Sequence, residues 1–184
     1  VPMKLIAVSV GGPKAVEWRG RNVQTSIFKT QVAGRVAVAR ENVHGDRQSD
    51  LSVHGGALKA VYAYPAEHYS FWRTELPDAG LTWGAFGENF TTEGMLEDQV
   101  CIGDRYRVGT VELRVTQPRM PCHKLAIRFG RADVVKTFLR SGRTGFYFSV
   151  EKEGDVGAGD AIERIARDDK GLSIADVVTL YSTD

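Results

Sequence analysis

The sequence has few cysteines and no long apolar run. Its 184 residues include two cysteines, Cys101 and Cys122, and no CxxC pair, which excludes a disulfide framework and argues against a CxxC zinc or redox site. Residues 1–10 form one short apolar stretch with Lys4 inside it, too short for a membrane span and unlike a signal peptide. These absences predict a cytoplasmic protein that does not enter a membrane.

An excess of charge of one sign and the common nucleotide motifs are also lacking. The chain has 24 Lys and Arg against 23 Asp and Glu, a net charge of +1, so neither a nucleic acid nor an anionic membrane is an expected partner. The absence of GxGxxG after a strand and of GxxxxGK[ST] argues against Rossmann and P-loop enzymes. The histidines form no HExxH pair, which disfavours zinc hydrolase chemistry.

The pattern that is present is β-rich. Val, Ile, Tyr and Phe recur in short runs separated by glycines, and residues 111–116 alternate apolar with polar, as a strand with one buried face does. Strands are predicted at 4–10, 34–40, 59–64, 105–108, 111–116, 145–150 and 161–165. A barrel is the expected architecture because closing the sheet removes its exposed edges.

Helical patterns are fewer. Helices are predicted at 65–76 and 132–140, and Ser173 is a candidate cap for a last helix. The expected fold is therefore mainly β (α+β), with a barrel domain over residues 1–170 and a few peripheral helices. Residues 171–184 are interpreted as the start of a C-terminal helical region that looks truncated, because the last helix has nothing of its own to pack on.

Residues 117–125, with the sequence QPRMPCHKL, form the most unusual segment. The two prolines stiffen the backbone, so Cys122 is predicted to project from a loop at the end of a strand. Nearby Arg119 and Lys124 would stabilise a thiolate, the form that attacks electrophiles and binds soft metals. The alternative is a buried, structural Cys122, and the structural interpretation is favoured for Cys101, which lies at an apolar strand end.

A second candidate segment spans residues 50–65. Its glycine pair, Gly55 and Gly56, would let the backbone approach a ligand closely. His54 can donate a proton or a hydrogen bond, and Lys59 can reach a phosphate. The alternative is a glycine turn beside a surface lysine.

A third candidate segment spans residues 83–90, where turn glycines surround a Glu–Asn pair. Asn89 can both donate and accept hydrogen bonds, which suits the edge of a pterin-like ring, whereas Glu88 could equally cap the turn or pair with a cation. Lys29 is a further candidate anion contact, with an ordinary exposed lysine as its alternative.

The three candidate segments, taken in this order, resemble the MOSC domain family over nearly the whole chain. The resemblance is carried by residues 53–56, 59–65, 87–90, 102–104, 117–119 and 121–122. It implies a β-barrel whose loops hold a molybdenum cofactor, with Cys122 coordinating the molybdenum. It also implies that the cofactor is contacted by Lys59, Gly55, Gly56, Asn89, Glu88, Arg119 and Lys29.

The resemblance further implies a reductase of small N-hydroxylated compounds, such as hydroxylaminopurines and amidoximes. A separate flavin or iron–sulfur protein would supply the electrons. His54 and His123 are the candidate proton donors, because imidazole titrates near neutral pH. Relatives often carry an aromatic residue at the position of His123, so substrate contacts there are expected to differ. A homodimer is left open.

Two other functions compete with the reductase. MOSC domains are also joined to cofactor sulfurases, so the chain could be a non-catalytic carrier of the cofactor or of sulfur. The third hypothesis is a hydrolase with Cys122 as nucleophile and His54 or His123 as base, although no oxyanion motif is identifiable.

Overall fold

A computed structural model describes residues 2–47 and 56–182. Its strands are β1 (Met3–Val10), β2 (Lys14–Trp18), β3 (Arg21–Thr25), β4 (Thr30–Gln31), β5 (Val36–Val38), β6 (Val61–Pro65), β7 (Phe90–Glu93), β8 (Arg105–Val108), β9 (Val111–Pro118), β10 (Phe146–Lys152), β11 (Gly154–Val156) and β12 (Ala161–Ala166). Its α-helices are α1 (Tyr69–Glu75), α2 (His123–Phe129), α3 (Val134–Ser141) and α4 (Ile174–Ser182). Single 3-10 turns lie at Ala57–Lys59 and Ala66–His68.

Within the described residues, seven strands close into a mixed barrel. The order around the ring is β12–β8–β9–β10–β6–β7–β1, and pairing of β12 with β1 completes it. The pairing of β6 with β7 is parallel, whereas the other pairs around the ring are antiparallel. The prediction of a mainly β fold with a barrel and peripheral helices is confirmed.

Alternation along the strands produces two hydrophobic layers. In β9, Val111, Leu113 and Val115 are at most 1% exposed and point into the barrel, as the sequence pattern predicts. In β6 and β10 the outward-facing residues include Tyr62, Tyr64 and Tyr147, which pack outside the barrel in a second cluster with α1, α2 and α3. This outer layer forms the wall on which the candidate site is built.

Several predicted boundaries are wrong. Lys59 lies in a 3-10 turn ahead of β6 rather than at a strand start. The helix α1 begins at Tyr69, because Pro65 still belongs to β6 and Ala66–His68 form a 3-10 turn. The strand predicted at 34–40 shortens to β5. The sequence reading also missed the hairpin β2–β3 and helix α2.

The last helix, α4, packs on the barrel, contrary to expectation. Ile174 and Val178 are 0% and 4% exposed and belong to the barrel's hydrophobic core. Ser173 and Asp176 cap the helix reciprocally, since the backbone N–H of each donates to the side chain of the other at 3.0 Å. No helix among the described residues is long and apolar enough to span a bilayer.

Candidate functional site

A cleft of about 440 Å³, counted with its open mouth, lies where β9 leads into α2. It brings together residues from five separate parts of the chain. Its lining includes Ser26, Lys29, Tyr62, Arg119, Cys122 and Lys124. Three candidate site residues, Cys122, Arg119 and Lys29, therefore meet in one place.

Cys122 lies at the end of a strand, as predicted. β9 ends at Pro118 and α2 begins at His123, so Cys122 is in the short connection between them, with an extended backbone at φ −129°. It is partly exposed and forms no disulfide. The side chain is thus placed to meet a ligand in the cleft, and the alternative of a fully buried Cys122 is excluded.

Arg119 forms the cationic floor of the cleft. The residue is 5% exposed, and Nη1 donates a hydrogen bond to the carbonyl of Phe86 at 3.1 Å. The guanidinium carbon lies 5.1 Å from the centre of the Tyr62 ring and 5.4 Å from that of Phe138, a cation–π geometry. The buried Nε–H has no acceptor among the described residues, so one strong donor remains for another group.

Lys29 and Ser26 add two further polar groups. Lys29 Nζ lies 2.7 Å from Asp46 Oδ1, and both side chains are at most 3% exposed. Burial lowers the pKa of Lys29, while the charge of Asp46 opposes that shift. The buried hydroxyl of Ser26 has no hydrogen-bond partner in the described part of the chain. Buried polar groups normally have partners, so this corner of the cleft suits an oxygen-rich anion.

Glu88 and Asn89 use their hydrogen bonds within the fold. The Glu88 carboxylate accepts from the Tyr69 hydroxyl at 2.5 Å, the Thr91 hydroxyl at 3.0 Å and the Phe86 N–H at 3.0 Å. Burial raises the pKa of Glu88, and these donors oppose the shift. The contact with Phe86 favours the turn-capping interpretation. A cofactor contact of Glu88 stays a prediction.

Asn89 ties together three segments of backbone. Its Oδ1 accepts from the Tyr62 N–H at 2.9 Å, and its Nδ2 donates to the Ser9 carbonyl at 3.3 Å. The side chain is 2% exposed, so in the described geometry it connects β6 and β1 at the start of β7, the strand that lies between them. Its contact with a pterin ring stays a prediction.

The remaining candidates lie around the cleft or beyond the described residues. Lys59 Nζ is 5.6 Å from the ring centre of Tyr147, which lines the cleft. Gly56 has φ 78°, a conformation that favours glycine. His123 is exposed and lines a different depression. His54 and Gly55 lie outside the described residues, so their roles stay predictions.

The sequence analysis missed the aromatic wall formed by Tyr62 and Tyr147. Their rings lie 5.2 Å apart, centre to centre, and both line the cleft beside Cys122. A signal was available, since period-two alternation around Phe146 and Phe148 places Tyr147 on the outer face of its strand.

The described residues contain no group of three or more His, Cys, Asp or Glu side chains that could hold a metal ion. A metal in this cleft would therefore need ligands that the described residues do not supply. A single cysteine thiolate suits a soft metal that is already chelated by an organic sulfur ligand.

The fold and cleft together define a mainly β barrel protein with a cysteine placed among buried and half-buried cations. A model of the MOSC domain matches residues 50–163, and the chain belongs to the MOSC domain family.

Relatives support this assignment over most of the chain. The chain is 44% identical over 170 residues to YflK of Bacillus subtilis (strain 168), and the match covers 92% of this chain and 76% of that protein. It is 37% identical over 145 residues to YiiM of Escherichia coli (strain K12), covering 78% of this chain and 65% of that protein. A Gibberella moniliformis protein named "Reductase" is 39% identical over 151 residues, which are 80% of this chain and 27% of that protein.

A solved structure gives the same assignment. The crystal structure of YiiM from Geobacillus stearothermophilus matches with a TM-score of 0.81 and 39% identity, covering 98% of this chain and 84% of that one. The match therefore extends over nearly the whole chain and not over the barrel ring alone.

Proposed function

We propose that the protein is a molybdenum-cofactor-dependent reductase of N-hydroxylated compounds. The observation that carries the proposal is the cleft itself, in which the Cys122 thiol shares one surface with Arg119 and Lys29. MOSC membership and the relative named "Reductase" support the same function.

The chemistry of the donor set fits the cofactor, which combines a sulfur-chelated metal with a phosphate. Cys122 would provide a thiolate ligand to the metal. The Arg119 Nε–H and the Ser26 hydroxyl, both buried without partners among the described residues, would donate to phosphate oxygens. The Lys29 ammonium, held at the same corner by Asp46, would be a further donor, and such charge-assisted contacts are stronger than neutral ones.

The bound cofactor would supply the two-electron chemistry that breaks an N–O bond. The chain's own part is to bind, orient and deliver protons. His123 is adjacent to Cys122 in sequence and is exposed, and His123 or His54 is the proposed proton donor to the substrate. A separate flavin or iron–sulfur protein would deliver the electrons.

The test compares wild-type protein with Cys122→Ala, both made in a host that synthesises the cofactor. We expect near-stoichiometric molybdenum and pterin in the wild type, reduction of benzamidoxime with a supplied reductant, and loss of both metal and turnover in Cys122→Ala. The matched control is Cys101→Ala, which removes the other thiol and should retain the metal.

Four outcomes would contradict the proposal. A wild type without molybdenum, or a Cys122→Ala variant that keeps it, would remove the assigned ligand. Metal binding without turnover of any N-hydroxylated compound would favour a cofactor carrier. Turnover by metal-free protein would favour a cysteine hydrolase.

A further inference from the structure

The hairpin β2–β3 stands beside the candidate site without joining the barrel ring. Trp18 is opposite Arg21, and Val16 is opposite Val23. Residues directly opposite each other in an antiparallel pair share one face, so these four side chains form a single surface. Val16, Trp18 and Val23 on it are partly buried, whereas Glu17 and Asn22 on the other face are exposed.

This surface of the hairpin faces the start of α2. Trp18, Arg19, Arg21, Val23 and His123 line a depression of about 740 Å³, counted with its open mouth. His123 follows Cys122 directly, so their Cα atoms are about 3.8 Å apart. The other end of β3, at Thr25, lines the cleft itself. The depression is therefore next to the reacting end of the candidate site.

The two arginines of the depression lack the carboxylate partners that several other arginines of the described residues have. No described Asp or Glu forms an ion pair with Arg19 or Arg21. By contrast, ion pairs connect Arg35 with Asp155, Arg107 with Glu112, Arg114 with Glu151 and Arg131 with Asp133. The Arg19 guanidinium carbon lies 5.2 Å from the centre of the Trp18 ring. An aromatic surface thus meets unneutralised positive charge.

Arg19 also has an unfavourable backbone conformation. It precedes Gly20 in the two-residue turn, and their φ values are 52° and 77°. Asn or Gly is preferred at the first position of such a turn, and a side chain such as arginine costs about 1–2 kcal/mol there. The fold alone would favour another residue, which agrees with a function for the guanidinium.

We propose that this depression is a substrate subsite for a planar aromatic group that carries an anionic substituent. Trp18 and His123 contact the ring, and Arg19 and Arg21 bind the anion. The N-hydroxylated end of the same molecule then extends towards Cys122. The identity of the N-hydroxylated end rests on the proposed reductase function. The binding of the ring and of the anion rests on the hairpin and His123.

The test uses two probes with the same ring and the same N–O group. 4-Carboxybenzamidoxime is anionic and benzamidoxime is neutral. Calorimetric titration of protein from a cofactor-producing host should give about fivefold tighter binding of the anionic probe, the size expected for partly exposed ion pairs. The same preference should lower KM in the reduction assay without raising kcat.

Arg19→Asn separates binding from folding. Asparagine suits the turn better than arginine, so the melting temperature should stay the same or rise while the ratio of the two affinities falls towards one. Arg21→Gln should lower the ratio as well. Trp18→Leu should weaken both probes and keep the ratio. Lys152→Gln removes one exposed positive charge from the end of β10 and should leave the ratio unchanged.

Equal affinities in the wild type, no binding of either probe, or an unchanged ratio in both arginine variants would overturn the subsite. Failure of the reductase proposal gives a different result, in which the anionic probe is preferred in titration but molybdenum-loaded protein reduces neither compound. Reduction of both probes without preference would leave the reductase proposal standing and refute the subsite.

Discussion

Cys101 and Cys122 each lie near an arginine, but only the arginine near Cys101 has a carboxylate partner among the described residues. Beside Cys101, Arg167 Nη1 donates to the sulfur at 3.4 Å, and Arg167 Nε is 3.3 Å from Asp104 Oδ2. The Asp104 side chain is completely buried. The charge near Cys101 is therefore neutralised within the protein, and the thiol itself is 3% exposed.

In the region of Cys122 the arginine has no carboxylate partner. Arg119 bonds to the carbonyl of Phe86, and none of the described Asp or Glu residues forms an ion pair with it. The difference indicates that positive charges have two roles in this protein. Positive charge that is neutralised internally holds two segments together, whereas charge left over in a cleft is available for a ligand.

The strongest test of the neutralised region is Asp104→Ala. Its carboxylate accepts from the backbone N–H groups of Cys101 at 3.0 Å and Asp168 at 2.8 Å. Losing both acceptors should lower the free energy of unfolding by about 2–4 kcal/mol, measured by urea denaturation.

The matched control is Asp155→Ala. Asp155 also pairs with an arginine, Arg35, but its side chain is 51% exposed. An exposed pair is worth about 1 kcal/mol at most. Equal losses in the two variants would show that burial of the carboxylate is not what stabilises the region around Cys101.

The sequence was most informative where alternation was strong. The hairpin β8–β9 was predicted almost to the residue, because its apolar positions fill the barrel interior. The hairpin β2–β3 was missed because it packs outside the barrel and has an arginine, not asparagine, at its turn. The packing of α4 was also missed, since two buried residues in a short helix do not reveal which surface they meet.

The site shows the same limit for polar residues. The two prolines around Arg119 correctly placed Cys122 in a loop at a strand end. No pattern in the sequence distinguishes a polar side chain that awaits a ligand from one, such as Asn89, whose hydrogen bonds are used by neighbouring backbone. That distinction depends on residues distant in sequence, here Ser9 and Tyr62.

A smaller effect is expected when the reactivity of the two thiols is compared. In cofactor-free protein, Cys122 should react with iodoacetamide at least about tenfold faster than Cys101, because a buried group must wait for local opening of the structure. The rates are measured by mass spectrometry on Cys101→Ser and Cys122→Ser, each of which retains one thiol. In urea the two rates should become similar, whereas similar rates in native protein would remove the contrast between the two regions.

The smallest expected effect is the pH dependence of stability that arises from Lys29, one of the buried cations of the cleft. Burial lowers the pKa of Lys29 below its usual value of 10.5, so the unfolded chain binds more protons than the folded one between the lowered pKa and 10.5. The free energy of unfolding should therefore rise with pH in that window, by less than about 1.4 kcal/mol per pH unit.

Urea denaturation between pH 7 and 9.5 measures this slope, and the double variant Lys29→Met/Asp46→Asn supplies the reference without the charged pair. The wild-type slope should be the more positive of the two. A wild-type slope equal to or below the reference would mean that Asp46 fully offsets the burial of Lys29. Lys29 would then resemble Arg167, and the contrast between a neutralised and an open cationic region would rest on Arg119 alone.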